Sequence, residues 1–333
     1  MKTIVIFDGD TLAYRASAAI DNRSILATHK SAISRTFKNK TELKELLKSK
    51  NKLHTLDDYS ISELQDPEDK INAFHIMKLQ IQRVTADLFA DEYIVAISGR
   101  NNFRDALPFP EKYKGNRLDL LRPVHLKACK EYLWKQHPSI IANNMEADDI
   151  LVFKGYEYLK EGYTVVLASQ DKDAWAYSGL HLYDFTKEYP ELELIPEGLG
   201  YLKDTGDKII GRGLIWYAYQ CVLGDKTDNM CPYKLAGAKF GEKAAYKLLK
   251  DCKTEKEALE LVVRQYKKWY PEVFNYTAWD GEVHCADAAY MICQYHKGVR
   301  MKSTEDDTLD AYQFYEMYGV DIDSIVNERI VIE

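Results

Sequence analysis

The chain has 333 residues, 46% of them hydrophobic and 29% charged, enough apolar side chains for one large domain or a core with a smaller module, which excludes disorder and disulfide-stapled mini-proteins. Lys and Arg number 45 against 52 Asp and Glu, so the formal charge of −7 gives no global sign of a nucleic-acid partner. No apolar run approaches the ~20 residues of a bilayer span, and carboxylates at Asp8 and Asp10 come too early for a secretory leader, so a cytoplasmic protein without a membrane partner is expected.

In chain order, residues 3–7, 93–98 and 163–169 are continuous β-branched and aromatic runs that suit strands covered on both faces. Residues 67–90 predict a helix with Asp66 as N-cap, Pro67 in the first turn, and Ile71, Phe74, Met77, Ile81, Val84 and Leu88 at helical spacing. Further helices are expected at 123–136 and 146–159, the latter closed by Gly162. This alternation implies an α/β core with a mainly parallel sheet flanked by helices, whose ligands gather beyond the carboxyl ends of the strands. Residues 21–66 are longer than an ordinary α/β connection and are either functional or disordered. Within them, residues 29–56 carry eight Lys and Arg (Lys30, Arg35, Lys38, Lys40, Lys44, Lys48, Lys50, Lys52) against two Glu, which reads equally as a strand-guiding arm or a solvated charge run. After about residue 210 the chain becomes mostly helical, at 214–222, 241–249, 255–269 and 286–295. The expected organisation is a core at 1–210 with a basic insert at 21–66, then a helical module with an acidic tail at 211–333. The six cysteines, without a C-x-x-C pair, read as reduced core thiols, and the eight histidines lie apart, without metal-ligand spacing.

Four carboxylate groups punctuate this pattern. Asp8 and Asp10 flank Gly9 at the end of the first strand; Glu146, Asp148 and Asp149 open a helix; Asp171 and Asp173 follow the third strand; Asp225 and Asp228 follow an apolar helix. Each has a capping or turn explanation taken alone. Together Asp8, Glu146, Asp148, Asp149, Asp171, Asp173, Asp225 and Asp228 form a set of hard oxygen donors without a soft ligand, which suits Mg2+ or Mn2+. Two such ions ~4 Å apart serve phosphodiester hydrolysis.

The ordered signatures Phe7-Asp8-Gly9-Asp10, Tyr113-Lys114-Gly115-Asn116-Arg117, Glu146-Ala147-Asp148-Asp149, Ser169-Gln170-Asp171-Lys172-Asp173 and Gly224-Asp225-Lys226-Thr227-Asp228-Asn229 resemble the 5′-to-3′ exonuclease and flap endonuclease family, particularly its stand-alone bacteriophage members. The resemblance runs from residue 3 to about residue 250. It implies a PIN-like (resolvase-like) nuclease core, a helix-three-turn-helix or helix-hairpin-helix module, and hydrolysis of DNA near free 5′ ends in replication, recombination or degradation. The partners it implies are duplex DNA with a 5′ end or flap, and an RNA primer or RNA–DNA hybrid, without a small-molecule cofactor; a viral chain would work in the host cytoplasm. Carried over, Asp8, Glu146, Asp148 and Asp171 lie nearer the first metal and Asp173, Asp225 and Asp228 nearer the second, with Asp149 binding through water. Lys114 and Arg117 are the implied catalytic cations at the scissile phosphate, and Arg104 is a candidate phosphate contact. Gly237, Lys239, Gly241 and Lys243 match the family's glycine hairpin, which carries duplex phosphates on backbone amides around K+.

Two departures stand out. The family's metal-binding Asp after the second core strand is missing at Ser98 and Gly99, with Asp10 a candidate substitute. The stretch between Arg117 and Glu146 is short for an arch over a 5′ strand, which favours trimming of duplex ends over threading of a long flap. A silent, structure-specific DNA-binding protein is the alternative from another class. A haloacid-dehalogenase-type phosphatase is a lesser one, since Phe7-Asp8-Gly9-Asp10-Thr11 resembles its nucleophile motif but is one residue short. The charge itself divides. Setting aside the eight site carboxylates and the tail 304–333, with nine acids and one Arg, the remaining body carries +9.

Overall fold

The computed structural model describes residues 2–49, 54–118 and 120–328; Lys50 and Lys52 of the basic run and residues 329–333 of the tail lie outside the described residues. In chain order the elements are β1 (Thr3–Asp8), α1 (Gly9–Ala19), β2 (Asp21–His29), β3 (Ser34–Phe37), α2 (Lys40–Ser49), β4 (Tyr59–Pro67), α3 (Lys70–Asp87), β5 (Glu92–Ser98), α4 (Leu126–Gln136), β6 (Ser139–Ala142), α5 (Ala147–Lys160), β7 (Thr164–Ala168), β8 (His181–Tyr183), β9 (Leu192–Leu194), β10 (Tyr201–Asp204), β11 (Ile209–Arg212), α6 (Leu214–Leu223), α7 (Glu242–Leu249), α8 (Glu255–Trp269), β12 (Phe274–Thr277), β13 (Val283–Ala286), α9 (Ala288–Val299), α10 (Ala311–Met317) and α11 (Ile322–Asn327). They fall into two compact units: Met1–Gly9 with Val84–Leu120 and Pro138–Glu333, and Asp10–Arg83 with Leu121–His137.

The first unit contains a six-stranded sheet in the order β6-β5-β1-β7-β8-β9, parallel except for β9. β1 is central, with Phe7 in register with Val95 on one side and Ala168 on the other. Ile4, Val5, Ile6 and Phe7 are fully buried, as expected of a strand covered on both faces. Gly9 is required where β1 ends, because a Cβ there would stand 2.5 Å from the Ala96 carbonyl oxygen. α5 lays Ile150, Leu151 and Phe153 into a core shared with Ile4, Ile6, Val165 and Leu167.

A second core in this unit joins α6, α8, α9, α10 and α11 through Trp216, Tyr266, Tyr295 and Tyr315, and it also takes in Leu107, Phe109 and Tyr113 from the connection after β5. Packing therefore does not divide the chain at residue 210: the helices after that point share their interior with the loop that carries Lys114. The helical expectation for this region also misses the antiparallel hairpin β12–β13, in which Phe274 is in register with Ala286.

The second unit corrects two expectations. The described residues of 21–66 are folded, with β2 at the centre of an antiparallel sheet β3-β2-β4 and α2 burying Leu43 and Leu47 against Ile25, Ala27 and Phe37. The third helix starts at Lys70 rather than residue 67, because Asp66 and Pro67 belong to β4 and are in register with Asn22 and Asp21. Pro67 ends that strand, where a missing donor is tolerated, and Asp69 caps the helix by accepting the Ile71 N–H at 2.9 Å. α4 likewise begins at Leu126, three residues later than expected.

No described helix is long and apolar enough to cross a membrane. All six cysteines are free; Cys129, Cys221 and Cys252 are buried, but Cys285 on β13 is exposed and is not a core thiol.

Candidate active site

The site grows from two adjacent parallel strand ends and one helix start. Asp8 closes β1 and is 4% exposed. Ser169, just beyond β7, donates its hydroxyl to Asp8 Oδ2 at 3.1 Å and accepts the Asp171 N–H at 3.0 Å, so one serine ties the two carboxylate-bearing ends together. Asp171 in turn accepts the Asp173 N–H at 2.8 Å and starts a short turn, Lys172–Ala176. Beside them the Ser98 hydroxyl accepts the Ala147 N–H at 3.2 Å at the start of α5.

Asp148, in the first turn of α5, interacts with Asp171, Asp8 and Glu146, and burial together with these three like charges pushes it well above the usual carboxylate range. Burial, with Asp173 beside it, raises Asp171 to about 7. Among the described residues, no protein group donates a hydrogen bond to the Asp148 carboxylate.

Protein cations sit among the remaining carboxylates. Lys114, whose left-handed backbone (φ 52°) opens the turn Gly115–Arg117, pairs with Glu146 Oε1 and stands 3.8 Å from Asp228 Oδ2; Arg117 pairs with Asp228 Oδ1. The Lys114 N–H donates to the Asp228 carbonyl at 3.1 Å and Asn229 Nδ2 to the Lys112 carbonyl at 2.9 Å, so the two motif loops are joined through their main chains. Lys172 bridges Asp225 Oδ2 at 2.6 Å and Asp173 Oδ1 at 3.1 Å, and Gln220 also donates to Asp173. Burial works against ionisation of Asp225, but Lys172 and Thr227 outweigh it and hold its carboxyl below the usual range. For Asp228 burial prevails over Lys114 and Arg117, and its carboxyl is raised.

Sequence reasoning assigned no role to Tyr113. Its hydroxyl lies 2.9 Å from Glu146 Oε2 and 3.2 Å from Asp228 Oδ2, and burial with these two carboxylates keeps it firmly protonated. The available signal was an aromatic residue leading an otherwise polar motif, Tyr113-Lys114-Gly115-Asn116-Arg117.

Three expected residues are placed otherwise. Asp149 is fully buried and bonded through both oxygens to Arg104, at 2.7 and 3.0 Å, which leaves it no face for an ion or its water. Arg104 is 2% exposed and therefore cannot meet a phosphate outside. Asp10, the candidate substitute, is paired with Lys130 at 2.8 Å. The missing carboxylate also has a steric cause, because a Cβ on Gly99 would come within 2.1 Å of the Ala142 carbonyl oxygen. Further along, Gly237 adopts φ +63° and Gly241 precedes α7, with open space where a Cβ would stand on either; Lys239 and Lys243 are exposed.

The donor set fits hard divalent ions, since all candidate ligands are carboxylates and Asp148 sits among like charges without a hydrogen bond. Among the described residues, no three His, Cys, Asp or Glu side chains stand as a ready ligand cage. Lys114, Lys172 and Arg117 lie between the carboxylates, and two groups are distinguishable: Asp8, Asp148 and Asp171 with Glu146, and Asp173 with Asp225.

No family model and no curated protein matches this sequence. Among solved structures, the chain is similar to a mutant of the bacteriophage T5 5′-exonuclease, at 13% identity and a TM-score of 0.45 over 98% of this chain and 100% of that one. It is similar also to a pseudo-enzyme–product complex of the bacteriophage T5 flap endonuclease with DNA and metal ions, at 15% identity and a TM-score of 0.42 over 98% of this chain and 100% of that one, and to the T5 5′-exonuclease with bound zinc, at 17% identity and a TM-score of 0.39 over 74% of each chain.

Proposed function

We propose that this chain is a divalent-metal-dependent nuclease that hydrolyses phosphodiester bonds of DNA from free 5′ ends, trimming in the 5′-to-3′ direction, with flaps and RNA primers as further substrates. The observation that carries the reading is the convergence of Asp8, Glu146, Asp148 and Asp171 at the carboxyl ends of β1 and β7 and the start of α5, with Asp8 and Asp171 tied through Ser169 and Asp148 set among the other three like charges. In this reading those four hold one Mg2+ or Mn2+, and Asp173, Asp225 and Asp228 hold the other. Bound ions would supply Lewis acidity for activating water and for the departing oxygen.

The chain's own groups do the rest. Lys114 and Arg117 exchange Glu146 and Asp228 for the scissile phosphate and present fixed positive charge to it. Tyr113, holding its proton, keeps Glu146 and Asp228 at hydrogen-bond distance from one hydroxyl. The open backbone around Gly237 and Gly241 would take duplex phosphates and could hold a K+ ion that adds positive charge there, with exposed Lys239 and Lys243 beside it in the sequence. The 5′-to-3′ polarity rests wholly on the family resemblance that the ordered motifs from Asp8 to Asn229 carry.

Incubating 5′-labelled duplex with Mg2+ tests the reading. Labelled nucleotides or short oligonucleotides are expected from the parent, none with EDTA, and a loss of more than ~100-fold with Asp171→Asn. Duplex binding without release would favour the silent DNA-binding alternative, which Gly99 motivates.

A further inference from the structure

One buried ion pair stands at the edge of this site and takes no part in the chemistry just described. The Arg104 guanidinium donates to Asp149 Oδ2 at 2.7 Å and Oδ1 at 3.0 Å, to the Gly298 carbonyl at 3.1 Å and to the Arg300 carbonyl at 2.8 Å. Asp149 accepts two further main-chain donors, the Glu146 N–H on Oδ2 at 3.0 Å and the Lys302 N–H on Oδ1 at 2.9 Å. Three distant stretches therefore meet on one pair: the turn Phe103–Ala106, the start of α5, and the segment 298–302 that ends α9 and follows it.

We propose that Arg104 and Asp149 are positioning residues that clamp the first turn of α5, and with it Glu146 and Asp148, onto the segment 298–302. A buried ion pair is seldom more stabilising than a well-packed apolar pair, whereas a guanidinium fork on a carboxylate fixes direction as well as distance. The Glu146 N–H is one of the donors that a helix start leaves without an intrahelical partner. By taking it, Asp149 sets the backbone of the residue whose carboxylate faces Asp148. The anchor is itself wedged: a Cβ on Gly298 would meet Met230 Sδ at 2.6 Å and Phe109 Cζ at 2.8 Å. Arg104 thus reaches the site through Asp149 and also directly, its Nη1 standing 3.7 Å from Glu146 Oε2, while Asp149 acts through the Glu146 main chain, and neither touches substrate or ion.

The inference rests on Glu146 and Asp148 being ligands, so its test has one readout that needs no metal. The variants are Arg104→Lys, which keeps the charge and loses the fork, Asp149→Asn, and the apolar pair Arg104→Met with Asp149→Leu. Hydrogen exchange of the metal-free protein is followed over 146–150 and 298–302, Mn2+ binding is measured calorimetrically without DNA, and duplex binding is measured in EDTA. Expected are faster exchange in both segments together, a Mn2+ dissociation constant raised ~10- to 100-fold in every variant, and unchanged duplex affinity in EDTA. Weaker duplex binding by Arg104→Lys would make Arg104 a phosphate contact and overturn the clamp. So would Mn2+ loss confined to Asp149→Asn, which would make Asp149 a ligand, or unchanged exchange. A parent that binds no Mn2+ overturns the nuclease reading, and the exchange data then decide the clamp by themselves.

Discussion

Gly99 shows how one residue decides what a site can contain. β5 and β6 are in register up to Ser98 and Ala142, and the next position on β5 has no room for a Cβ beside the Ala142 carbonyl. Gly99→Asp, which restores a carboxylate at that point of the motif pattern, is expected to force β6 outward and cost ~1–3 kcal/mol, seen as a lower melting temperature without tighter Mn2+ binding. If the proposed nuclease reading holds, Lys114→Ala is expected to lower turnover ~100- to 1,000-fold in single-turnover assays with duplex affinity changed far less, since that reading aims its charge at the transition state. The placement of the candidate carboxylates Asp8, Glu146, Asp148 and Asp171 at strand ends and a helix start was legible in the sequence, because hydrophobic runs mark where those elements stop and begin. Asp149 and Arg104 could not be read correctly. Their roles depend on burial produced by a segment about 150 to 200 positions away, and no local pattern reports it.

At the scale of elements, the strands β1, β5 and β7 and the helices α5, α6 and α8 follow directly from hydrophobic period and capping, within a residue or two, whereas the short strands β6, β8 and β9 of the same sheet carry no such run. The start of α3 did not, because Asp66 and Pro67 are drawn into a nine-residue ladder with β2, a non-local pairing that overrides a plausible cap. The segment after α9 yields a pH prediction. Asp307 accepts Arg300 Nη1 at 2.8 Å and hydrogen bonds from Ser303 and Leu309, which outweigh burial and hold its carboxyl down at about 2. Because its folded value lies below the unfolded value near 4, it stabilises the fold fully above pH ~4, and this contribution, up to about 2 kcal/mol, is lost as pH falls through 2. Urea unfolding between pH 2 and 5 should therefore fall less steeply in Asp307→Asn than in the parent. α2 yields another prediction. Lys40, Lys44 and Lys48 recur every four residues and are exposed, while Leu43 and Leu47 are buried. Replacing the three lysines by Glu should leave the fold intact; if this face guides a strand, the salt dependence of duplex affinity becomes shallower by up to about three charges, and an unchanged slope identifies an ordinary solvated face.

For the molecule as a whole, the chain passes between its two compact units four times, after Gly9, Arg83, Leu120 and His137, and two of these passages lie inside α1 and α3. The net charge of −7 is misleading as an average, since the candidate ligands and the tail account for more than all of it.

The clamp gives the last third of the chain a further significance. Arg104 is bonded to carbonyls 194 and 196 positions away, and Asp149 to an N–H 153 positions away. At roughly 5–20 residues per second, a ribosome needs ~8–30 s to move from the start of α5 to residue 302, and throughout that interval Glu146 and Asp148 lack their anchor. If the proposed clamp operates, assembly of these carboxylates waits on synthesis itself, and a nascent or prematurely ended chain that lacks residues 298–302 presents them without their anchor.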